Sequence, residues 1–245
     1  MSIVGKHIVI TGGTSGIGLE LVKQLYNGNK ITVIGRPSSR LQVLGAQFER
    51  LTIIEADLSD QQAVEMAADQ LIKSGKRIDV LINNAAVQFT PHFLSDDFRY
   101  ETIRREIDVN LTSICTLIYL LMPSLLQKEP TLILNINSGL GLVPKTSSAI
   151  YCATKGGLNL FSQSLRHQLE DTNIDVKQAF LPLVDTAMTQ GRGGGSGKIS
   201  PQEAAAAIIR GMAKKGAIID IGKVKLLRLI QRLSPTLAQK IMKAS

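Results

Sequence analysis

Short runs of β-branched residues alternate with segments of helical periodicity along most of this chain, and this alternation constrains the fold most. Runs such as HIVIT and LTIIE are rich in β-branched and other apolar residues, and apolar residues at helical spacing follow them. Strands that alternate with helices form parallel crossovers, and continuously apolar strands are covered on both faces. The sequence therefore predicts an α/β fold: a doubly wound parallel β-sheet with helices on both faces, in a single domain.

The composition is that of a folded protein, and its charge is uneven. Of 245 residues, 44% are hydrophobic and 20% are charged, which is enough to bury a core. The formal net charge is +8, and residues 190–245 carry eleven Lys and Arg against two acidic residues. A nucleic-acid site needs basic residues on a recognisable binding motif. None is visible, so we expect no nucleic-acid partner.

The compartment is predicted from the cysteines and from the first residues. Cys115 and Cys152 both lie in apolar helical patterns, where a free cysteine is usually a small buried side chain. The start MSIVGKHIVITGG has no basic region followed by an apolar run and a cleavage site. We therefore expect a cytoplasmic protein. The largely apolar stretch 111–126 is sixteen residues long and contains Thr, Ser and a proline, so it falls short of the roughly 20 residues that span a bilayer and predicts a core or subunit-interface helix.

The stretch TGGTSGIG, residues 11–18, joins the first predicted strand to the first helix. Gly12, Gly16 and Gly18 allow a sharp turn and a close approach of the backbone to a pyrophosphate, whose charge the helix N-terminus favours. A plain glycine turn is the alternative. Its position inside a strand–turn–helix unit favours a dinucleotide site.

The end of the second predicted strand bears on which dinucleotide is bound. An acidic residue there would bind the ribose 2′-hydroxyl of NAD, but the sequence has Gly35 and then Arg36, with Arg40 one turn later. A guanidinium suits a 2′-phosphate. The pattern favours NADP over NAD; the alternative is that Arg36 is a solvated charge at a helix start.

Tyr151 and Lys155 lie four residues apart near the start of a helix predicted over residues 149–171. Residues at this spacing share a helix face about 6 Å apart along the axis. A free phenol, with a pKa near 10, holds its proton too tightly to act as a base at neutral pH. A neighbouring cationic lysine favours the phenolate, so we expect Lys155 to lower the pKa of Tyr151.

Five motifs in order resemble those of the classical short-chain dehydrogenase/reductase family, across nearly the whole chain. They are TGGTSGIG, NNAA at 83–86, DVN ending at Asn110, INS with Ser138 thirteen residues before Tyr151, and YCATK. The resemblance implies a Rossmann-type fold and an oxidoreductase that interconverts an alcohol and a carbonyl. It also implies a homodimer or homotetramer formed through helices near 110–127 and 149–171.

The resemblance assigns roles to individual residues. Tyr151 would be the acid or base, Lys155 would also bond the nicotinamide ribose, Ser138 would donate to the substrate oxygen, and Asn110 would hold a water that relays protons. Cofactor contacts are implied for Tyr151 and Lys155 themselves, for Asp57 at the adenine, for Asn83 at the adenosine, and for Gly12, Thr14, Ser15, Gly16, Ile17, Gly18, Arg36, Leu58, Ala85, Val184 and Thr186. No metal site is implied.

Two positions depart from the family pattern, and a lid follows the second. Ala86 replaces the glycine of NNAG, and Leu183 stands where a glycine usually follows the sixth strand. The glycine-rich stretch TQGRGGGSGKISP spans residues 189–201, and we expect residues 183–200 to form a mobile substrate lid. The PLVDT, GKISP and C-terminal patterns are similar to the DltE-like branch of bacterial oxidoreductases.

The sequence predicts an oxidoreductase domain over residues 1–222 and a helical extension over 223–245. In the extension, apolar positions 226, 227, 230 and 233 alternate with basic positions 225, 228 and 232, up to a break at Pro235. Such a helix can pack over the substrate pocket or against a second subunit. Peripheral docking on an anionic membrane is the alternative.

Two functions remain possible from the sequence. The set of Asn110, Ser138, Tyr151 and Lys155 favours an enzyme acting on a small carbonyl or alcohol substrate. The alternative is a non-catalytic NAD(P)-binding regulator or scaffold on the same fold, because a fold does not determine a function.

Overall fold

The structure, a computed structural model, describes residues 3–192 and 197–243. Its strands are β1 (His7–Thr11), β2 (Lys30–Gly35), β3 (Thr52–Glu55), β4 (Val80–Asn83), β5 (Thr131–Ser138), β6 (Ile174–Leu181) and β7 (Ile218–Asp220). They form one parallel sheet in the order β3-β2-β1-β4-β5-β6-β7. From β1 the next two strands are added on one side and the later strands, from β4 on, are added on the other side. Sheets of this kind bind ligands at the switch point between the two sides, here between β1 and β4. The predicted doubly wound α/β fold is confirmed.

Helices cover both faces of the sheet. They are α1 (Gly16–Tyr26), α2 (Ser39–Gln47), α3 (Gln61–Lys73), α4 (Glu101–Ile107), α5 (Ser113–Leu125), α6 (Ala149–Gln168), α7 (Pro201–Ala213), α8 (Val224–Leu233) and α9 (Pro235–Lys243). Side chains of α1, α2 and α7 share one hydrophobic core with Ile8 and Ile10 of β1. Those of α3, α5 and α6 share the other core with Val9. Successive residues of one strand thus serve opposite faces.

Several element boundaries differ from the sequence-based prediction. The helical stretch that leads into the helix predicted at 111–126 begins at Glu101, because residues 92–98 form hydrogen-bonded turns, with the Ser95 amide donating to the His92 carbonyl and the Phe98 amide to the Ser95 carbonyl. The helix predicted to residue 171 ends at Gln168. The elements α2, α7 and β7 were not predicted; β7 has only three residues, too few for a periodic signal.

One helical stretch is longer than the sequence indicated. Residues Glu101–Leu125 are 25 residues long and apolar enough, by length and composition, to cross a membrane. The core helix of a folded domain passes the same test. Ile114, Leu117, Ile118 and Leu121 are buried in the core that α5 shares with α3. This packing identifies α5 as a core helix.

The predicted C-terminal helix is a pair of helices. The first helix, α8, ends at Leu233, next to the predicted break at Pro235, and Pro235 begins α9, where a missing N–H group is tolerated. Arg228 of α8 donates from Nε and a terminal nitrogen to the Asp220 carboxylate at 2.6 and 2.8 Å. Its guanidinium also lies 4.5 Å from the ring centre of Phe180. These contacts fix α8 against β6 and β7, beside the carboxyl ends of the strands.

Candidate active site

The turn between β1 and α1 leaves no room for side chains at two of its glycines. Gly12 has φ +72° and Gly16 has φ +53°, a left-handed region that favours glycine. A Cβ atom on Gly12 would lie 2.8 Å from the Cα of Ala85. A Cβ on Gly18 would lie 2.0 Å from the Gly12 carbonyl oxygen. The predicted glycines are therefore required by the turn itself.

Two residues that sequence reasoning did not single out hold this turn. The Asn84 side chain donates to the carbonyls of Thr11 and Gly12, both at 3.0 Å. The Thr11 hydroxyl oxygen accepts from the amides of Asn84 and Ala85, also at 3.0 Å. The ends of β1 and β4 are thus joined at the switch point. The signal in the sequence was the second asparagine of NNAA.

Asn83 differs from its predicted role. Its side chain is buried and donates to the Asn135 side chain at 2.8 Å, within the sheet layer. It does not line the cleft, whereas Asn84 and Ala85 do. Neighbouring residues at a strand end point to opposite sides, so only one of two adjacent asparagines reaches the ligand side.

A cleft of about 1270 Å³ opens at the switch point, and its walls fit a dinucleotide. Ser15 precedes α1 without capping it through its side chain, so the first-turn amides are available to an anion. Arg36 and Arg40 line the cleft beyond β2. Of the other predicted cofactor residues, those lining the cleft are Gly12, Thr14, Ser15, Gly16, Ile17, Gly18, Asp57, Leu58, Ala85, Tyr151, Lys155, Val184 and Thr186.

Asp57 is held as a carboxylate at one end of the cleft. One of its oxygens accepts from the Ser59 amide at 2.9 Å and from the Ser59 hydroxyl at 2.8 Å. Burial works against the charged form, but these hydrogen bonds prevail, and the pKa of Asp57 lies below its usual value. The carboxylate is therefore available as an acceptor at neutral pH.

Tyr151 and Lys155 lie in the first turns of α6, and both line the cleft. The Lys155 ammonium donates to the Ile136 carbonyl at 2.9 Å and lies 5.7 Å from the ring centre of Tyr151. The Asn137 side chain donates to the Lys155 carbonyl at 3.2 Å, and a Cβ on Gly141 would lie 2.7 Å from that same oxygen. Close packing against the end of β5 thus fixes the helix face that carries the pair.

Burial dominates the electrostatics of this pair. Burial lowers the pKa of Lys155 to about 8. Burial, reinforced by the Glu106 carboxylate, raises the pKa of Tyr151 well above its usual value, and Arg192 and Ser138 only partly offset this. The direction is opposite to the predicted one, because burial outweighs the groups that favour the phenolate. At neutral pH Tyr151 therefore carries its proton.

Ser138 ends β5 with its hydroxyl beside Tyr151. The Ser138 oxygen accepts from the Leu140 amide at 3.1 Å, which leaves its hydrogen free to donate. A hydrogen bond between the Ser138 side chain and Tyr151 is among the influences that lower the pKa of the phenol. Ser138, Tyr151 and Lys155 thus meet at one place on the cleft wall, as predicted.

Asn110 is buried behind that wall. It lies in a π-helical turn, Asp108–Thr112, and π-helical turns recur at functional sites. Its side chain accepts from the Val87 amide and donates to the Val87 carbonyl, both at 2.8 Å, and approaches the Thr154 hydroxyl at 3.3 Å. These bonds position Val87, which lines the cleft.

A strained residue precedes α6. Ser148 is buried with φ +69°, a conformation that is uncommon for a residue with a side chain. Gln88 donates to its hydroxyl oxygen at 3.0 Å, and both residues line the cleft. Such strain collects at functional sites. Sequence reasoning missed both residues, because no local pattern marks a positive φ at a serine.

The structure describes residues 183–192 and 197–200 of the predicted lid, and residues 193–196 lie outside the described residues. The Ile199 amide donates to the Leu183 carbonyl at 3.2 Å, and the Asp185 amide donates to the Ile199 carbonyl at 2.9 Å. The two arms of the lid are thus joined at their base. A methyl carbon of Thr186 would lie 3.0 Å from a Cβ on Gly16, so Thr186 reaches the glycine turn.

Cys115 is half-buried and Cys152 is buried. Cys115 and Cys152 are free thiols, and burial raises the pKa of each. Across residues 3–192 and 197–243, no group of three or more His, Cys, Asp or Glu side chains could hold a metal ion.

The glycine turn at the switch point and the buried tyrosine–lysine pair on the same cleft define a dinucleotide-dependent oxidoreductase. The family model described as short chain dehydrogenase matches residues 6–195. The chain belongs to this family and is an NAD(P)-dependent oxidoreductase. The uncharacterized oxidoreductase DltE of Bacillus subtilis is 34% identical over 191 residues, 78% of this chain and 76% of the relative, which confirms the DltE-like branch.

Solved structures agree with the fold. A short chain dehydrogenase from Burkholderia cenocepacia in complex with NADP has a TM-score of 0.87, is 22% identical, and each chain covers 99% of the other. A short chain dehydrogenase/reductase from Burkholderia phymatum in complex with NAD has a TM-score of 0.83, is 19% identical, and the match covers 95% of this chain and 96% of that one.

Replacing Gly18 with alanine tests the glycine turn. The added Cβ would lie 2.0 Å from the Gly12 carbonyl oxygen and 2.6 Å from the side-chain nitrogen Nδ2 of Asn84, so the turn must move. We expect Gly18→Ala to weaken NADPH binding about tenfold or more and to lower stability by about 1–3 kcal/mol. NADPH fluorescence titration and thermal unfolding measure the two effects.

Gly45→Ala is the matched control. Gly45 lies in α2, and its Cβ would make an ordinary contact at 3.4 Å with Ile53. This variant should bind NADPH like the wild type. Unchanged affinity in Gly18→Ala would contradict the fit of the turn to a dinucleotide.

Proposed function

We propose that this protein is an NADP-dependent oxidoreductase that interconverts an alcohol and a carbonyl. The observation that carries this proposal is the meeting of Ser138, Tyr151 and Lys155 on one wall of the cleft. Reduction of a carbonyl needs a proton donor at the oxygen, and a neutral phenol is one.

The residues divide the work. The bound nicotinamide cofactor would supply the hydride to the carbonyl carbon. Ser138 donates a hydrogen bond to the carbonyl oxygen and holds it near Tyr151, which passes its proton to that oxygen. The cationic form of Lys155 stabilises the phenolate that remains, because the two groups share one helix face. Lys155 also orients the ribose in this proposal.

Asn110 acts by position in this proposal. Its carboxamide is committed to the Val87 backbone and to Thr154, one residue before Lys155. Its predicted part in a water relay stays a prediction.

A non-catalytic regulator on this fold is the second candidate. Such a protein needs a nucleotide cleft but not a buried acid next to a hydrogen-bond donor. The Ser138, Tyr151 and Lys155 set therefore favours the enzyme, and turnover distinguishes the two.

Tyr151→Phe is the test of turnover. The variant keeps the ring and loses the proton, so we expect NADPH binding within about twofold of the wild type and a fall in kcat of about a hundredfold or more. NADPH oxidation is followed against a panel of aldehydes, ketones, diketones and quinones. Equal kcat in the two proteins would refute the role of Tyr151, and absence of any turnover with intact NADPH binding would favour the regulator.

NADP is proposed over NAD on the charges beyond β2. Arg36 and Arg40 are both exposed and line the cleft there together with Ser38 and Ser39. Guanidinium and hydroxyl groups suit a 2′-phosphate, and no carboxylate follows Gly35 to bind a free 2′-hydroxyl.

Arg36→Asp tests this preference. The substitution removes a cation and adds an anion, so we expect NADPH affinity to fall about ten- to a hundredfold and NADH affinity to stay within about threefold or improve. Fluorescence titration with each cofactor gives the ratio, and NADH serves as the internal control. Parallel losses for both cofactors would show that Arg36 does not read the phosphate.

Assembly as a homodimer or homotetramer is proposed through the outer faces of α5 and α6. Tyr119 and Leu160 are 77% and 69% exposed on these two helices, more than large apolar side chains usually are. Light scattering at micromolar concentration should give a multiple of 26.5 kDa. The double variant Tyr119→Asp, Leu160→Asp should shift the mass toward the monomer, and a monomeric wild type would contradict the proposal.

A cytoplasmic location and peripheral membrane contact through residues 223–245 stay predictions. Part of this extension lines the cleft, which favours the pocket-covering alternative. Arg228 is paired with Asp220 and is therefore not a free cation for a membrane surface.

A further inference from the structure

The substrate side of the cleft is cationic and apolar at once. Lys145, Arg192, Lys198 and Lys223 line it, and Asp57, at the cofactor end, is the sole acidic residue among the lining residues that the structure describes. Apolar side chains complete this side: Leu140, Leu183, Val224, Leu226, Leu227 and Ile230. This combination suits an amphipathic anion better than a neutral sugar or a cation.

Arg192 differs from the other three cations. Its guanidinium nitrogen NH1 is buried and has no hydrogen-bond partner, and the described residues place no carboxylate within ion-pairing distance of it. Lys198, in contrast, is paired with Asp185 at 3.5 Å and donates to the Thr189 carbonyl at 2.9 Å. Arg192 as a whole is half-buried, and a buried guanidinium nitrogen without a partner is unfavourable unless a ligand satisfies it.

Arg192 lines the same cleft as Tyr151. Its positive charge favours the ionised forms of Tyr151 and Glu106, and so acts to lower the pKa of each. Glu106 is buried and accepts from the Phe89 amide at 3.0 Å, and burial raises its pKa to about 7, so its carboxyl is only partly ionised at neutral pH. Arg192 and Tyr151 therefore share one ligand-binding space, and Glu106 offsets the charge of the guanidinium only in part.

We propose that Arg192 binds a carboxylate of the substrate, so that the protein acts on oxo acids, or the matching hydroxy acids, whose carboxylate lies close to the reacting carbon and whose remainder is apolar. The planar guanidinium can donate to both oxygens of a carboxylate in a bidentate pair. The apolar wall from α8 holds the rest of the substrate. This inference rests on the proposed function for the reacting carbon, but the carboxylate site can be tested without turnover.

The binding test uses Tyr151→Phe, saturated with whichever of NADPH and NADH it binds more tightly. Calorimetry compares medium-chain oxo acids with their methyl esters, which keep the chain and the carbonyl but lose the charge. We expect at least one acid to bind about tenfold or more tightly than its ester. Adding Arg192→Gln should bring this ratio close to one by weakening the acid, and Arg192→Lys should give an intermediate ratio.

Arg210→Gln is the matched control. Arg210 is an exposed arginine of α7 that does not line the cleft, and its loss should leave the acid-to-ester ratio unchanged. The inference is overturned if no acid binds more tightly than its ester, or if Arg192→Gln weakens acid and ester alike, which would indicate a purely structural arginine.

A turnover test on the wild type separates this inference from the proposed function. If acids bind selectively through Arg192 but no compound oxidises the cofactor, the carboxylate site stands and the proposed function fails. If neutral ketones and esters are reduced as well as the acids, and Arg192→Gln changes neither, the proposed function stands and the carboxylate site is wrong.

Discussion

The rest of the site depends on the junction between β1 and β4, where two strand ends and a helix start share a few ångströms. Gly18 approaches the Gly12 carbonyl so closely that no side chain fits. The Asn84 side chain donates hydrogen bonds to the carbonyls of Thr11 and Gly12. This junction places the first turn of α1 beside the cleft with its amides available to an anion. Because β5 pairs directly with β4, the junction also determines where Ser138, at the end of β5, and the start of α6 lie relative to the cofactor end of the cleft.

Burial is the second constraint, and its effects on an acid and on a base are opposite. Removing water disfavours charge, so the pKa of the Tyr151 phenol rises and the pKa of the Lys155 ammonium falls to about 8. A phenol that is protonated at neutral pH can act as the acid in the proposed carbonyl reduction, but a higher pKa also makes its proton harder to release. The cationic form of Lys155 would offset this by stabilising the phenolate that forms. Burial thus acts on both members of the pair, and neither its effect nor the residue types give the reaction a preferred direction.

The sequence was sufficient for the architecture because long apolar strands and helical periodicity are local signals. It identified β1 to β6, the glycine turn, and the shared helix face of Tyr151 and Lys155 from local patterns, and the resemblance to the family added Ser138 to that pair. It did not identify what depends on contacts between distant segments. The choice between Asn83 and Asn84, the positive φ of Ser148 and the raised pKa of Tyr151 are set by neighbours that are remote in sequence.

The cofactor side and the substrate side of the cleft come largely from different parts of the chain, and this explains why the cofactor is easier to infer than the substrate. The match to the family model covers residues 6–195, which supply the glycine turn, Arg36, Ser138, Tyr151 and Lys155. Much of the substrate wall comes later in the chain, from α8, held in place by the pairing of Arg228 with Asp220. Arg192 lies at the border between the two. A short anchored helix can change its apolar residues without disturbing the sheet, so the fold allows substrate selection to vary while the hydride-transfer geometry stays fixed.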